Sequence, residues 1–271
     1  MITRRERMEK SALFFDIDGT ILSDKTHIIP QSALEAMKQA QENGHLLFIN
    51  TGRTICALPR ELQAFDFDGY LCGCGCYLVY RGDVLLESHI APNRGKEILD
   101  KVIECGFGVV LEWAEDVFFP KQQSRFSQLE YARKAFGELG LGKKQYIESG
   151  TCPYDKLFLY ADENSDKKTL FQFFKSDMEV IERGNDTYEV IQKEFSKATA
   201  CEFILKKFGM SKRQAYVFGD SMNDLSMFEY AEHTIAMGEH AKGLEPYTEF
   251  VTKEVEEDGI AYAMRHYGLI G

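Results

Sequence analysis

Short apolar runs alternate with amphipathic helical patterns at both ends of the chain, and this alternation stops in the middle. Such alternation is typical of βα units, in which helices cover both faces of a parallel sheet. From about residue 88 to residue 187 the predicted strands instead come in pairs between helices, which is typical of a separate α+β unit. We therefore predict a doubly wound α/β core, residues 1–87 and 188–271, interrupted by an inserted α+β domain, residues 88–187.

Several local patterns define the elements of the core. Turn residues Arg81-Gly82-Asp83 between β-forming runs predict a hairpin over residues 77–86. Residues 54–63 have a weaker helical pattern, because Pro59 would interrupt the hydrogen bonds of its interior. The buried core strands are predicted at Ala12–Phe15, Leu46–Ile49, Tyr188–Gln192 and Ala215–Phe218.

Composition limits the possible partners. The chain has 271 residues, 44% of them hydrophobic, and a net charge of −11. Wholesale disorder is therefore excluded, and the acidic surface is a poor match for nucleic acid or anionic membrane. An anionic substrate would be repelled unless a bound cation or local positive groups reverse the field.

The sequence favours a cytoplasmic protein. No apolar run approaches the ~20 residues of a membrane span. The basic segment Met1–Lys10 is followed by only a short apolar run, too short for a secretion signal. Seven cysteines, an odd number, are typical of reduced thiols.

Polar residues follow four apolar runs of the outer segments, where ligands bind in open α/β sheets. Thr51 and the neighbouring backbone N–H groups can bind phosphoryl oxygens, and Lys197 can neutralise them. Three clustered aspartates repel one another unless a divalent cation lies among them, and their hard oxygens suit Mg²⁺. A carboxylate beside Mg²⁺ and lysine can form an aspartyl-phosphate. The four segments are Asp16-Ile17-Asp18-Gly19-Thr20, Asn50-Thr51-Gly52-Arg53, Ser196-Lys197-Ala198-Thr199 and Gly219-Asp220-Ser221-Met222-Asn223-Asp224.

In order and spacing, these four segments resemble the motifs of the haloacid dehalogenase (HAD) superfamily of phosphotransferases. The insertion resembles the type IIB cap of the Cof-like phosphatases. The resemblance covers essentially the whole chain. It implies a Rossmann-like core and a Mg²⁺-dependent phosphatase of small phosphorylated metabolites, such as sugar phosphates or phosphorylated cofactors.

The resemblance also implies a role for each motif residue. Asp16 is the expected nucleophile and metal ligand, and Asp18 the expected general acid/base, whose backbone carbonyl also binds the metal. Asp220 completes the metal site, supported by Asp224 and Thr20. Phosphate-binding roles fall to Thr51, Gly52, Lys197 and Asn223.

Two positions depart from the common family pattern. Ala198 follows Lys197 where glycine is common, which keeps the charge and alters backbone freedom. Cys74-Gly75 stands where family members often have Asn-Gly, near the junction with the insertion. The second departure leaves the substrate preference open.

Other functions remain open from the sequence. A phosphotransferase or mutase would use the same aspartyl-phosphate but exclude water. A phospho-acceptor signalling module also clusters carboxylates, threonine and lysine, but needs only about half this length and lacks the insertion. A catalytically dead binding module is the remaining alternative, and it has no support because every group that the chemistry needs is present. The oligomeric state is left undetermined.

Residues outside the motifs are assigned more weakly. Cys72, Cys74 and Cys76 are interpreted as thiols packed on one face of a strand, since their spacing is not that of a zinc site. In the insertion, Trp113, Tyr154 and Lys156 are candidates for the substrate pocket.

Overall fold

The computed structural model of the protein describes residues 9–271, so most of the basic segment Met1–Lys10 lies outside the described residues. These contain thirteen strands: β1 Ala12–Phe15, β2 Leu46–Asn50, β3 Gly69–Cys72, β4 Tyr77–Tyr80, β5 Asp83–Glu87, β6 Gly108–Glu112, β7 Val117–Phe118, β8 Lys156–Tyr160, β9 Met178–Gly184, β10 Thr187–Gln192, β11 Ala215–Gly219, β12 His233–Ala236 and β13 Phe250–Val251. Seven α-helices connect them: α1 Gln31–Glu42, α2 Pro92–Glu104, α3 Ser127–Glu138, α4 Lys167–Phe174, α5 Lys197–Phe208, α6 Leu225–Tyr230 and α7 Gly259–His266.

The core sheet has eight strands in the order β13-β12-β11-β1-β2-β3-β4-β5. The strands from β13 to β3 are parallel, and β4 and β5 form the predicted antiparallel hairpin at the edge. From β1 the chain adds β2 and β3 on one side and later returns to add β11 on the other. The strand order therefore switches between β1 and β11, which is where ligands bind in such sheets.

Helices cover both faces of this sheet, as a mainly parallel sheet requires. Leu13 and Phe15 of β1 pack into a cluster with residues of α1 and α7. Phe14 points to the opposite face and packs with residues of α5 and α6. Because both faces are buried, the strands appear in the sequence as continuous apolar runs.

The inserted domain contains a five-stranded sheet in the order β7-β6-β8-β10-β9, and each pair in it is antiparallel. Helices α2 and α4 pack on one face, through Ile98 and Leu170 among others. Helix α3 packs on the other face through Leu129. The predicted α/β core with an inserted α+β domain is confirmed.

One predicted core strand is assigned to the wrong sheet. Residues 188–192 lie in β10, which pairs with β8 and β9 of the inserted domain. Residues 187–191 of β10 are buried, and its apolar residues Tyr188, Val190 and Ile191 suggested a core strand. We propose that the core resumes near residue 193 rather than residue 188, and that the first boundary lies near residue 87.

Two local predictions are also wrong. Residues 54–63 form two short 3₁₀ turns, Ile55–Ala57 and Arg60–Ala64, because Pro59 leaves the chain extended between them. The cysteines do not alternate along one strand, since β3 ends at Cys72 and the chain turns at Gly73–Gly75. All three thiols are nevertheless buried and free.

No helix in residues 9–271 is long and apolar enough to cross a membrane.

Candidate active site

Three aspartates meet at the ends of β1 and β11, the two strands that flank the switch in strand order. One carboxylate oxygen from each of Asp16, Asp220 and Asp224 lies within 4.8 Å of the others. Asp16 directly follows β1, and its N–H donates to the carbonyl of Phe218 in β11 at 3.0 Å. The parallel register of β1 and β11 therefore places these carboxylates together.

Glycine is required where the loop after β1 passes Asp220. Gly19 has φ +73°, and a Cβ atom there would lie 2.7 Å from Oδ2 of Asp220. Only glycine adopts this backbone conformation at such close approach without strain. Next to it, the Thr20 hydroxyl donates to Oδ1 of Asp220 at 3.1 Å. Gly19 therefore leaves room for the carboxylate of Asp220, and Thr20 orients it.

Lys197 is the buried counter-charge of the cluster. It is the first residue of α5, whose N-terminus is capped by Ser196 and Thr199 in a reciprocal pair. Its ammonium lies 2.7 Å from Asp16 Oδ1 and 2.6 Å from Asp224 Oδ1. The second oxygen of Asp224 accepts the N–H groups of Asp220 and Ser221, each at 3.0 Å. Asp224 therefore holds both the loop after β11 and Lys197, which agrees with the supporting role predicted for it.

The cluster carries more negative charge than Lys197 balances. Burial raises the pKa of Asp16 to about 7, although Lys197 opposes the shift. Burial, and then the carboxylates of Asp16 and Asp224, raise the pKa of Asp220 to about 8. Burial alone would lower the pKa of Lys197, but its two carboxylate partners raise it above its ordinary value. Three crowded, partly desolvated carboxylates with one ammonium form a donor set that suits a hard divalent cation.

Asp18 lies apart from these three carboxyl groups and pairs with Arg53. The guanidinium donates from Nε to Asp18 Oδ2 at 2.7 Å and from Nη2 to Oδ1 at 2.8 Å. Nη1 also donates to the carbonyl of Ala57 at 3.2 Å, which anchors the arginine to the core. Asp18 is about two-fifths exposed and lines the crevice between core and inserted domain. Its carboxylate is thus oriented at the crevice by a bidentate pair.

The loop Thr51-Gly52-Arg53 follows β2 and lines the same crevice. All three carbonyls of the loop accept hydrogen bonds: that of Thr51 from Cys74 N–H at 3.0 Å, that of Gly52 from Lys156 at 2.7 Å, and that of Arg53 from Gly73 N–H at 2.8 Å. Cys74 makes its bond from a left-handed conformation, φ 55°. Within residues 9–271, no hydrogen bond engages the N–H of Gly52.

Asn223 also lines the crevice, with its Oδ1 accepting from the Ser221 hydroxyl at 2.8 Å. The structure thus brings to one place all the predicted site residues. These are Asp16, Asp18, Thr20, Thr51, Gly52, Lys197, Asp220, Asn223 and Asp224.

The crevice has a volume of about 530 Å³, and the inserted domain forms its other wall. Tyr131, Ala135 and Leu139 lie at intervals of four residues along α3 and its C-cap, so they share one helix face. All three line the crevice and are solvent-exposed, Tyr131 at 76%. We call these three residues the α3 wall. It faces the crevice with an apolar surface.

The pocket candidates from the inserted domain are mostly wrong. Neither Trp113 nor Tyr154 lines the crevice, and both pack in the core of the inserted domain. The buried Tyr154 hydroxyl donates to the carbonyl of Gly95 at 2.6 Å, which satisfies it inside the domain. Lys156 does line the crevice, but its ammonium is already bound by protein groups.

Several crevice residues were not predicted from the sequence. Arg53 stands two positions after Thr51 and received no role, since its pairing with Asp18 depends on tertiary structure. Glu112 and Glu189 are buried carboxylates at strand positions of the inserted domain. The sequence signal for these two residues was a charged residue beside or within an apolar run. Such a charge requires a partner when it is buried.

Comparison with known proteins agrees with the motifs. The family model for haloacid dehalogenase-like hydrolases matches residues 13–264. YkrA of Bacillus subtilis (strain 168) is 28% identical over 268 residues, which are 97% of this chain and 100% of YkrA.

Two solved structures have the same fold over nearly their whole length. BT1666 from Bacteroides thetaiotaomicron, described among phosphatases of the haloalkanoate (HAD) superfamily, has a TM-score of 0.85 and 27% identity, covering 100% of this chain and 99% of its own. BT4131, described as a HAD subclass IIB sugar phosphatase, has a TM-score of 0.82 and 26% identity, covering 96% of this chain and 100% of its own. The resemblance predicted from the sequence is confirmed.

Proposed function

Because the chain belongs to the haloacid dehalogenase-like hydrolases, and because its relatives include phosphatases, we propose that it is a Mg²⁺-dependent phosphatase acting through an aspartyl-phosphate. Its substrates are small phosphorylated metabolites. The observation that carries this proposal is the largely buried group of Asp16, Asp220, Asp224 and Lys197 beside a loop whose Gly52 N–H has no hydrogen-bond partner among the described residues. Phosphoryl transfer depends mainly on such positioning and charge stabilisation.

The metal would be held by Asp16 and Asp220, together with the backbone carbonyl of Asp18. When bound, Mg²⁺ would neutralise the crowded carboxylates and stabilise negative charge on the phosphoryl group. The fit is supported by the raised pKa values of Asp16 and Asp220, which reflect burial without enough compensating charge. Asp224 is fully buried and bound to Lys197 and two backbone N–H groups, so it supports the site from behind.

The reaction is divided among residues of the core. One oxygen of Asp16 attacks phosphorus, and the ester oxygen leaves with a proton from Asp18. Asp18 then accepts a proton from the water that attacks phosphorus and releases Asp16 as a carboxylate. Lys197 stabilises the charge that develops on the phosphoryl oxygens, while the Thr51 hydroxyl, Gly52 N–H and Asn223 orient them.

The inserted domain would contact the leaving group. The α3 wall offers apolar side chains, and the positively charged Arg183 lies on the same side of the crevice. A leaving group with an apolar or ring-shaped part can bury area on Tyr131, whose aromatic face is exposed. Sugar phosphates and phosphorylated cofactors both include compounds of this kind.

A panel of phosphorylated sugars and cofactors tests the proposed function directly. We expect release of inorganic phosphate from a subset of the panel in the presence of Mg²⁺, and no transfer to an added acceptor sugar. Phosphorylation of the acceptor in place of phosphate release would instead establish a phosphotransferase.

The α3 wall should set substrate preference without affecting the chemical step. We expect Tyr131→Ala to lower kcat/KM for phenyl phosphate by about threefold to tenfold, the loss of roughly 1 kcal/mol of aromatic contact. Hydrolysis of glycerol phosphate should change by less than about twofold, because that leaving group buries little apolar area.

Lys134→Ala is the matched control for this prediction. Lys134 is exposed on the same helix but does not line the crevice. Steady-state kinetics should give the wild-type kcat/KM for both esters in this variant. An equal decrease for both esters in Tyr131→Ala would show that the α3 wall does not select the leaving group.

A further inference from the structure

A buried ion cluster connects the inserted domain to the core. Lys156, the first residue of β8, is 3% exposed. Its ammonium bonds the carboxylate of Glu189 in β10 and lies 3.6 Å from that of Glu112 in β6. The third partner belongs to the core: the carbonyl of Gly52, at 2.7 Å.

The lysine is charged in this position. Burial alone would lower its pKa, but the carboxylates of Glu112 and Glu189 outweigh burial and raise the pKa above its ordinary value. Glu189 approaches the same loop, since a Cβ atom on Gly52 would lie 2.8 Å from its Oε1. The contact between the domains therefore depends on a charge-assisted hydrogen bond and on a glycine that lets the carboxylate come close.

The Gly52 carbonyl belongs to the same peptide unit as the N–H of Arg53. This N–H donates to Oγ1 of Thr51 at 3.2 Å. An oxygen that accepts this bond directs its own hydrogen elsewhere, so the Thr51 hydroxyl is left as a donor. By holding the Gly52 carbonyl, Lys156 fixes the plane of the peptide that orients this hydroxyl.

We propose that Lys156, a residue of the inserted domain, is a positioning residue for the phosphate-binding loop of the core. The loop is then complete only while the inserted domain is seated on it, which makes phosphate binding depend on the domain contact. This inference rests on the proposed phosphate-binding role of Thr51 and Gly52.

The inference distinguishes Lys156 from the α3 wall. A residue that contacts the leaving group changes the ranking of substrates, as predicted for Tyr131. A residue that acts through the loop changes the binding of every phosphate ester by the same factor, and it changes the binding of inorganic phosphate, which has no leaving group.

The experiment compares Glu189→Gln with the double variant Lys156→Met/Glu189→Gln. Lys156→Met alone would leave two buried carboxylates without their cation and destabilise the fold, whereas neutralising lysine and Glu189 together avoids most of that cost. In Glu189→Gln the ammonium keeps its bond to Gly52 and its place beside Glu112, so the two proteins differ in the ammonium itself. Inorganic phosphate is the probe, measured as a competitive inhibitor of phenyl phosphate and glycerol phosphate hydrolysis.

We expect Glu189→Gln to keep the inhibition constant within about twofold of wild type, and the double variant to raise it about tenfold, the size expected for loss of a charge-assisted hydrogen bond. The double variant should lower kcat/KM for both esters by the same factor. An unchanged inhibition constant, or a loss confined to one ester, would overturn the inference.

Thr51→Ala separates failure of the inference from failure of its premise. If this variant weakens inhibition by phosphate and the double variant does not, the loop binds phosphate but Lys156 does not position it. If Thr51→Ala leaves inhibition unchanged, the loop does not bind phosphate. Both the proposed phosphate-binding role of the loop and the positioning role of Lys156 are then wrong.

Discussion

Replacement of Asp16 by asparagine will abolish turnover while leaving the fold intact. Asparagine has nearly the same shape but cannot act as a nucleophile or offer a charged oxygen to the metal. We expect hydrolysis of every substrate to fall by on the order of 10⁴-fold or more, the scale for loss of a nucleophile. Rates of phosphate release with saturating Mg²⁺ measure the effect, and circular dichroism verifies the fold.

The variant should remain folded for a physical reason. Asp16 is one of three crowded carboxylates, so its neutralisation relieves repulsion while Lys197 keeps its bond to Asp224 at 2.6 Å. Lys134→Ala in the inserted domain is a suitable control, since Lys134 is exposed and lies outside the crevice lining. Residual activity within about tenfold of wild type in Asp16→Asn would remove Asp16 from the chemistry.

Removal of divalent metal will have an effect of similar size. We expect EDTA to lower phosphate release by at least about a thousandfold, and added Mg²⁺ to restore it, because the cation supplies several kcal/mol of transition-state charge stabilisation. The physical reason is the excess negative charge at the site, where Lys197 forms ion pairs with Asp16 and Asp224, and no ion pair within residues 9–271 reaches Asp220. Activity is measured before chelation, after chelation and after back-titration with Mg²⁺.

An Asp220→Asn variant allows the Mg²⁺ requirement of a weakened cation site to be compared with that of wild type. It keeps the shape of the side chain but weakens the cation site, so a higher Mg²⁺ concentration should be needed for half-maximal activity. Full activity of wild type in a verified metal-free solution would contradict a metal-dependent mechanism.

The core of the site was predictable because it lies at strand ends. In a parallel sheet, each buried apolar run indicates where a strand ends, and the polar residues that follow must lie along one edge. Asp16, Thr51 and Asp220 follow β1, β2 and β11, which are neighbours in the sheet. The proximity of these three side chains therefore follows from the hydrophobic pattern and the sheet geometry alone.

The inserted domain was less predictable. Its strand β10 is buried at residues 187–191, and the apolar residues Tyr188, Val190 and Ile191 suggested a strand of the core sheet. Hydrophobic periodicity indicates which residues are buried, but it does not indicate which sheet a strand joins. We consequently propose that the core resumes near residue 193 rather than residue 188.

Pairings between residues far apart in the chain also could not be predicted from the sequence. The Arg53 pair with Asp18 and the Lys156 bond to Gly52 join residues 35 and 104 positions apart. Tyr154 was expected in the pocket, but its hydroxyl found a partner inside the domain at Gly95. Side-chain chemistry suggests what a residue can bind, whereas tertiary structure decides which partner it meets.

The central claim is that the phosphoryl group is transferred to Asp16, and the most direct test is to trap that intermediate. Wild-type protein with Mg²⁺ and a hydrolysed substrate is quenched in acid within milliseconds and analysed by peptide mass spectrometry. We predict one additional phosphoryl group on the peptide containing Asp16, and none in Asp16→Asn. A phosphoryl group on another residue would contradict the account.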